Sequence, residues 1–115
     1  MNTEEFIEAI RIAVINGSIE GLESNLVKPS GRNPDNDAIE RSQWYNRLNN
    51  EDRIMVLKII KEAVETSVFG FLCVLDGVRA IESTEAKGQL KLFYEKENES
   101  ILLNDPDGDY LHDLL

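Results

Sequence analysis

The densest run of ligand-type side chains is Asp105-Pro106-Asp107-Gly108-Asp109, followed closely by the only histidine, His112. Carboxylates at alternate positions are how a calcium loop begins, with oxygens at positions 1, 3 and 5 converging on a hard cation. The rest of that pattern is missing here. The sixth position is Tyr110 rather than Gly, and the bidentate Glu of the twelfth would fall beyond Leu115. A polar turn leading into a terminal helix needs the same Asp, Pro and Gly residues, and that reading is preferred. Asp105, Asp107 and Asp109 stay as metal candidates. With His112 they make up the alternative reading, a small metal-dependent protein or enzyme.

The remaining residues of chemical interest argue mostly against catalysis. A general base needs a partner and a pocket, and His112, between Leu111 and Asp113, has neither in its local sequence. With Asp109 and Asp113 nearby it reads as a pH-responsive surface group. The lone Cys73 lies in Phe71-Leu72-Cys73-Val74-Leu75, apolar surroundings that suit a small core residue rather than a reactive thiol. One Cys and one His cannot complete a four-ligand zinc site. There is no Gly-rich phosphate loop and no serine nucleophile elbow. No cofactor and no catalytic residue are assigned. Trp44-Tyr45, flanked by Arg41 and Arg47, combines the residue types that dominate interface hot spots. The competing reading packs Trp44 or Tyr45 beneath the helix that follows.

These residues must be positioned by a chain of 115 residues whose 42% hydrophobic content suffices for one core. Its 22 acids and 12 bases give a formal charge of −10, which speaks against phosphate-backbone binding. A single thiol excludes a disulfide-stapled scaffold. The longest apolar run, 68–75, is too short to span a bilayer, and the first residues are acidic where a signal peptide is basic. A cytoplasmic protein with no membrane or nucleic-acid partner is expected. The charge is uneven: −4 over 1–27, +2 over 28–61, −2 over 62–94 and −6 over 95–115. An acidic C-terminal block of this kind keeps a small protein soluble, or steers a basic partner.

The elements follow from spacing. Asn2 with Glu5 predicts a capped first helix carrying Phe6, Ile10 and Val14, stopped at Asn16-Gly17. Ser18 would then cap a short second helix, and 28–37 reads as a loop. Asp37 with Glu40 predicts a helix to about Leu48, and Asn50 caps a long one over about 51–76. Its stripe runs through Leu57, Ile60, Val64, Val68, Phe71, Leu75 and Val78, closing on Gly77 in the left-handed conformation. The stretch 68–75 is apolar on every face and also fits a buried strand, but the unbroken stripe favours helix. Alternation near 89–96 and the apolar 101–103 predict an antiparallel hairpin at about 89–103. Tyr110, Leu111, Leu114 and Leu115 make a final turn. The expected fold is α+β: one mostly helical domain with a small C-terminal sheet.

Two segments, Phe71-Leu72-Cys73-Val74-Leu75-Asp76-Gly77-Val78 and Leu103 to Leu115 with its closing Leu111-His112-Asp113-Leu114, resemble those of small uncharacterised bacterial proteins. The resemblance carries no activity. In size and acidity the chain is also similar to bacterial immunity proteins, a likeness of composition. The function expected is therefore non-enzymatic: a binding or regulatory domain acting through protein contacts, with an acidic inhibitor of a basic partner as its most concrete form. Arg41, Trp44, Tyr45, Arg47, Asp107, Asp109, Tyr110 and Asp113 are the candidate contact residues. The remaining alternative is a homodimer or larger homo-oligomer formed through the 51–76 helix.

Overall fold

In the computed structural model, which describes residues 1–115, the first helix starts where the sequence places it. The Asn2 side chain accepts the Glu5 amide at 2.8 Å, and Glu4 and Glu5 complement the positive end of α1 (Thr3–Ile10). The expected stop at Asn16-Gly17 does not occur. The chain passes through a π-helical stretch, Arg11–Asn16, directly into α2 (Gly17–Val27). Asn16 stays right-handed there, at φ −64° and ψ −41°. Local propensity made a stop possible without enforcing one, and Ser18 therefore lies inside a helix. The buried residues are Ile7 and Ile15, whereas Val14 is exposed.

Asp35 caps α3 (Asn36–Asn46), accepting the Ala38 amide at 2.7 Å, so Asp37 falls in the first turn instead of capping it. Asn49 likewise replaces Asn50 as the cap of α4 (Asn50–Leu75), accepting the Asp52 amide at 2.8 Å. The run 68–75 is helical. Gly77, at φ +77°, ends α4 in a Schellman arrangement: Val78 N donates to Cys73 O and Gly77 N to Val74 O. The stripe holds in part, with Val68 and Leu75 packed against the core and Phe71 and Val78 off it. Val56, Leu57, Ile60 and Val64 are half-buried, but further along Gly70, Leu72 and Cys73 are buried while Phe71 is 62% exposed. The all-round apolarity of 68–75 allows this change of face. Ambiguous periodicity there reflects a helix whose buried side shifts.

The sheet is smaller than 89–103. Strands β1 (Phe93–Lys96) and β2 (Glu99–Leu102) pair antiparallel, Phe93 opposite Leu102 and Lys96 opposite Glu99. Residues 89–92 precede the ladder and are held by the Leu103 amide, which donates to Leu92 O at 2.8 Å, and by the Asn104 side chain. Asn104 Oδ1 accepts the Leu92 amide at 2.8 Å, and its Nδ2 donates to Leu75 O at 2.7 Å and Leu90 O at 2.9 Å. The last element is α5 (Leu111–Leu114).

The fold is α+β and mostly helical, and the chain forms two compact units, 1–12 with 66–115 and 13–65. The discontinuous unit has a core of Ile7, Leu72 and Leu111, with Phe6, Val68, Leu75, Leu114 and Leu115 packed against it. Complete burial of such a side chain contributes about 1.5–3 kcal/mol. Thr3 Oγ1 donates to Leu103 O, and the Arg11 guanidinium donates to the main-chain oxygens of Leu114 and Leu115. In the contiguous unit α2 and α3 pack together, with Ser42 Oγ and Asn46 Nδ2 both donating to Val27 O. No helix is long and apolar enough to cross a membrane.

Candidate functional site

The most developed polar arrangement lies where the end of α4 meets α5. Asp76 follows α4 directly, at the negative end of the helix, where a carboxylate is disfavoured. Three donors offset this. Its Oδ1 accepts the Leu111 amide at 2.9 Å, and its Oδ2 accepts the His112 amide at 2.9 Å and His112 Nδ1 at 2.6 Å. Tyr110, the residue before α5, provides no side-chain cap, so Asp76 supplies that function from 35 residues away. Its side chain is 2% exposed. Charge-assisted bonds to buried amides are roughly twice as strong as neutral ones, and here they fasten the C-terminal turn to α4.

The His112 ring is held on three sides. Tyr110 stacks on it with centroids 5.3 Å apart, and Phe69 meets it edge-on at 5.5 Å. Asp76 bonds Nδ1, and Nε2 faces Asp113 Oδ1 at 3.3 Å. The Asp76 bond uses a proton on Nδ1, and the Asp113 contact is an ion pair only when the ring is charged. The expectation of a surface histidine without a partner is thus corrected: the side chain is 15% exposed and bonded to a buried acid. Of the two acids expected beside it, Asp113 meets the ring. A buried carboxylate on Nδ1 is the way a catalytic imidazole is oriented, but such a base also needs Nε2 turned toward a substrate or nucleophile. Here Nε2 is turned toward Asp113, and the arrangement anchors and orders the turn.

Asp105, Asp107 and Asp109 do not converge. Asp105 Oδ1 accepts the Asp107 amide at 3.0 Å and its carbonyl accepts the Gly108 amide, making an Asx-type turn. No three His, Cys, Asp or Glu side chains come together to hold a metal ion. Asp105, Asp107, Asp109 and His112 thus form no metal-ligand cluster in this arrangement. What remains is an exposed surface of Asp107, Asp109, Tyr110 and Asp113, standing on the turn that Asp76 secures. Its surroundings reinforce the charge. The unit formed by 1–12 and 66–115 holds 13 acids and 5 bases, a formal −8, whereas 13–65 holds 9 and 7, a formal −2. The acidic N-terminal turn and the acidic C-terminal block belong to the same unit.

The aromatic candidates separate. Trp44 is 47% exposed between exposed Arg41 and Arg47. Tyr45 is buried at 4%, with the Arg53 guanidinium 5.5 Å from its ring centre, so it supports α3 and is not a contact residue. Cys73 is buried, as expected. Reading by spacing passed over Asp76, Phe69 and Asn104. Asp76 alone carried a local signal, an acid at the wrong end of an apolar helix. Compared with known proteins, the chain matches no family model, no curated protein and no solved structure.

Proposed function

We propose that the chain is a non-enzymatic binding domain that docks on a basic protein partner and inhibits or regulates it. The observation that carries this reading is the concentration of −8 in one compact unit, with Asp107, Asp109, Tyr110 and Asp113 exposed on an anchored turn. Fields of one sign speed encounter with an oppositely charged surface, and a fixed aromatic such as Tyr110 supplies the short-range anchor. Pre-ordering by Asp76 reduces the entropy lost on binding.

The test is capture from the native host with the chain immobilised, at low and high salt, beside an Asp107→Asn/Asp109→Asn/Asp113→Asn variant. A basic protein retained at low salt, released at high salt and lost with the variant supports the reading. Capture indifferent to both salt and substitution overturns it. A second reading, self-association through α4, is favoured by Ile54, Met55 and Ile59, each more than half exposed. Light scattering on the eluted species decides it, since a monomer at high concentration removes that reading.

A further inference from the structure

Beyond the acidic surface, the discontinuous unit contains a cavity of about 610 Å³ between the end of α4 and the segment 78–90, a volume typical of small-molecule sites. Its apolar lining includes Leu75, Val78, Ile81 and Leu90, the last three exposed at 53%, 68% and 46%. Two cations, Arg79 and Lys87, also line it.

In a unit with 13 acids, neither cation has an ion-pair or hydrogen-bond partner for its side chain. The carboxylates that line the cavity are already engaged. Asp76 is taken by α5 and His112, and Glu82 Oε1 accepts the Gly88 amide at 3.1 Å. The Arg79 side chain reaches back to α4. Its guanidinium lies against Gly70 in α4, in space that the Cβ of any other residue would fill. A guanidinium and an ammonium lining one apolar-walled cavity lack only an anion with an apolar body.

We propose that this cavity binds a small amphipathic organic anion, its carboxylate or phosphate head on Arg79 and Lys87 and its apolar body against Val78, Ile81 and Leu90. Arginine presents a planar fork that matches both head groups, and lysine adds a point charge. The proposal does not depend on the protein-binding reading above.

The test is an amide-resolved NMR titration of the full chain with octanoate, phenyl phosphate and octylammonium. Octanoate or phenyl phosphate should give saturable shifts confined to 74–82 and 87–90, and their relative affinities identify the head group. Octylammonium, with the same tail and the opposite charge, should give none. Arg79→Gln/Lys87→Gln should weaken binding by about tenfold or more, as expected for loss of charge-assisted contacts. Lys87→Gln alone, at an exposed position, carries the same test if the double variant does not fold. The proposal is overturned if neither anion saturates, if octylammonium binds as well, or if affinity is unchanged in the charge variants.

Discussion

Replacing Asp76 by Ala tests the assignment of this residue as the anchor of the C-terminal turn. Three donors lose their acceptor at once: the amides of Leu111 and His112 and the Nδ1 of His112. A buried amide without a partner costs about 1–3 kcal/mol, and a charge-assisted bond contributes about 1.5–3. Removing an acid from the negative end of α4 returns about 0.3–1 kcal/mol. Allowing for partial relaxation, the net loss should be about 3–4 kcal/mol, a large share of the roughly 5–15 kcal/mol typical of a domain. His112→Ala removes one of the three bonds and leaves both amides capped, so about 1.5–3 kcal/mol is expected. Urea unfolding followed by far-ultraviolet circular dichroism measures both, provided the slopes agree. Hydrogen exchange at the Leu111 amide gives the local readout: it should accelerate strongly in Asp76→Ala and only modestly in His112→Ala. A cost within about 1 kcal/mol of zero for Asp76→Ala, or a greater cost for His112→Ala, refutes the reasoning.

Asn104→Ala should cost about 2–4 kcal/mol by chemical denaturation, because it strands one buried amide and two carbonyls, and Asn104→Asp should not restore stability, since it lacks both donors. Two glycines with open space around them should respond in opposite directions in melting experiments. Gly21→Ala, inside α2, should stabilise by about 0.5–1 kcal/mol, whereas Gly77→Ala should destabilise by about 1–2 kcal/mol on account of φ +77° alone.

Much of the architecture was legible because it is written locally. Asn2, the Gly77 terminus and the helical spacing of 51–75 each act over a few residues, and each signal matched what the chain does. Signals failed where two neighbours offered the same chemistry. Asp35 and Asp37, or Asn49 and Asn50, differ as caps only through the geometry of the preceding loop. Asn16-Gly17 was permissive, and the chain stays helical through it, with Ile15 buried. The site was legible in part. The exposed acids 107, 109 and 113 lie where the charge pattern indicated, but the group that supports them does not. Asp76 and His112 are 36 residues apart, and pairing over that distance leaves no trace in periodicity or propensity.

The bond from Thr3 to Leu103 has a consequence for the order of assembly. During synthesis, the stretch 13–65 is complete while the partners of Thr3, Ile7 and Arg11 have yet to leave the ribosome. The contact partners within one compact unit are all present early, whereas those of the other include residues 103–115. Until then, the apolar face of α1 with Ile7 stays open to water and to chaperones. The late step closes a contact spanning 100 residues, which slows folding far more than it lowers stability.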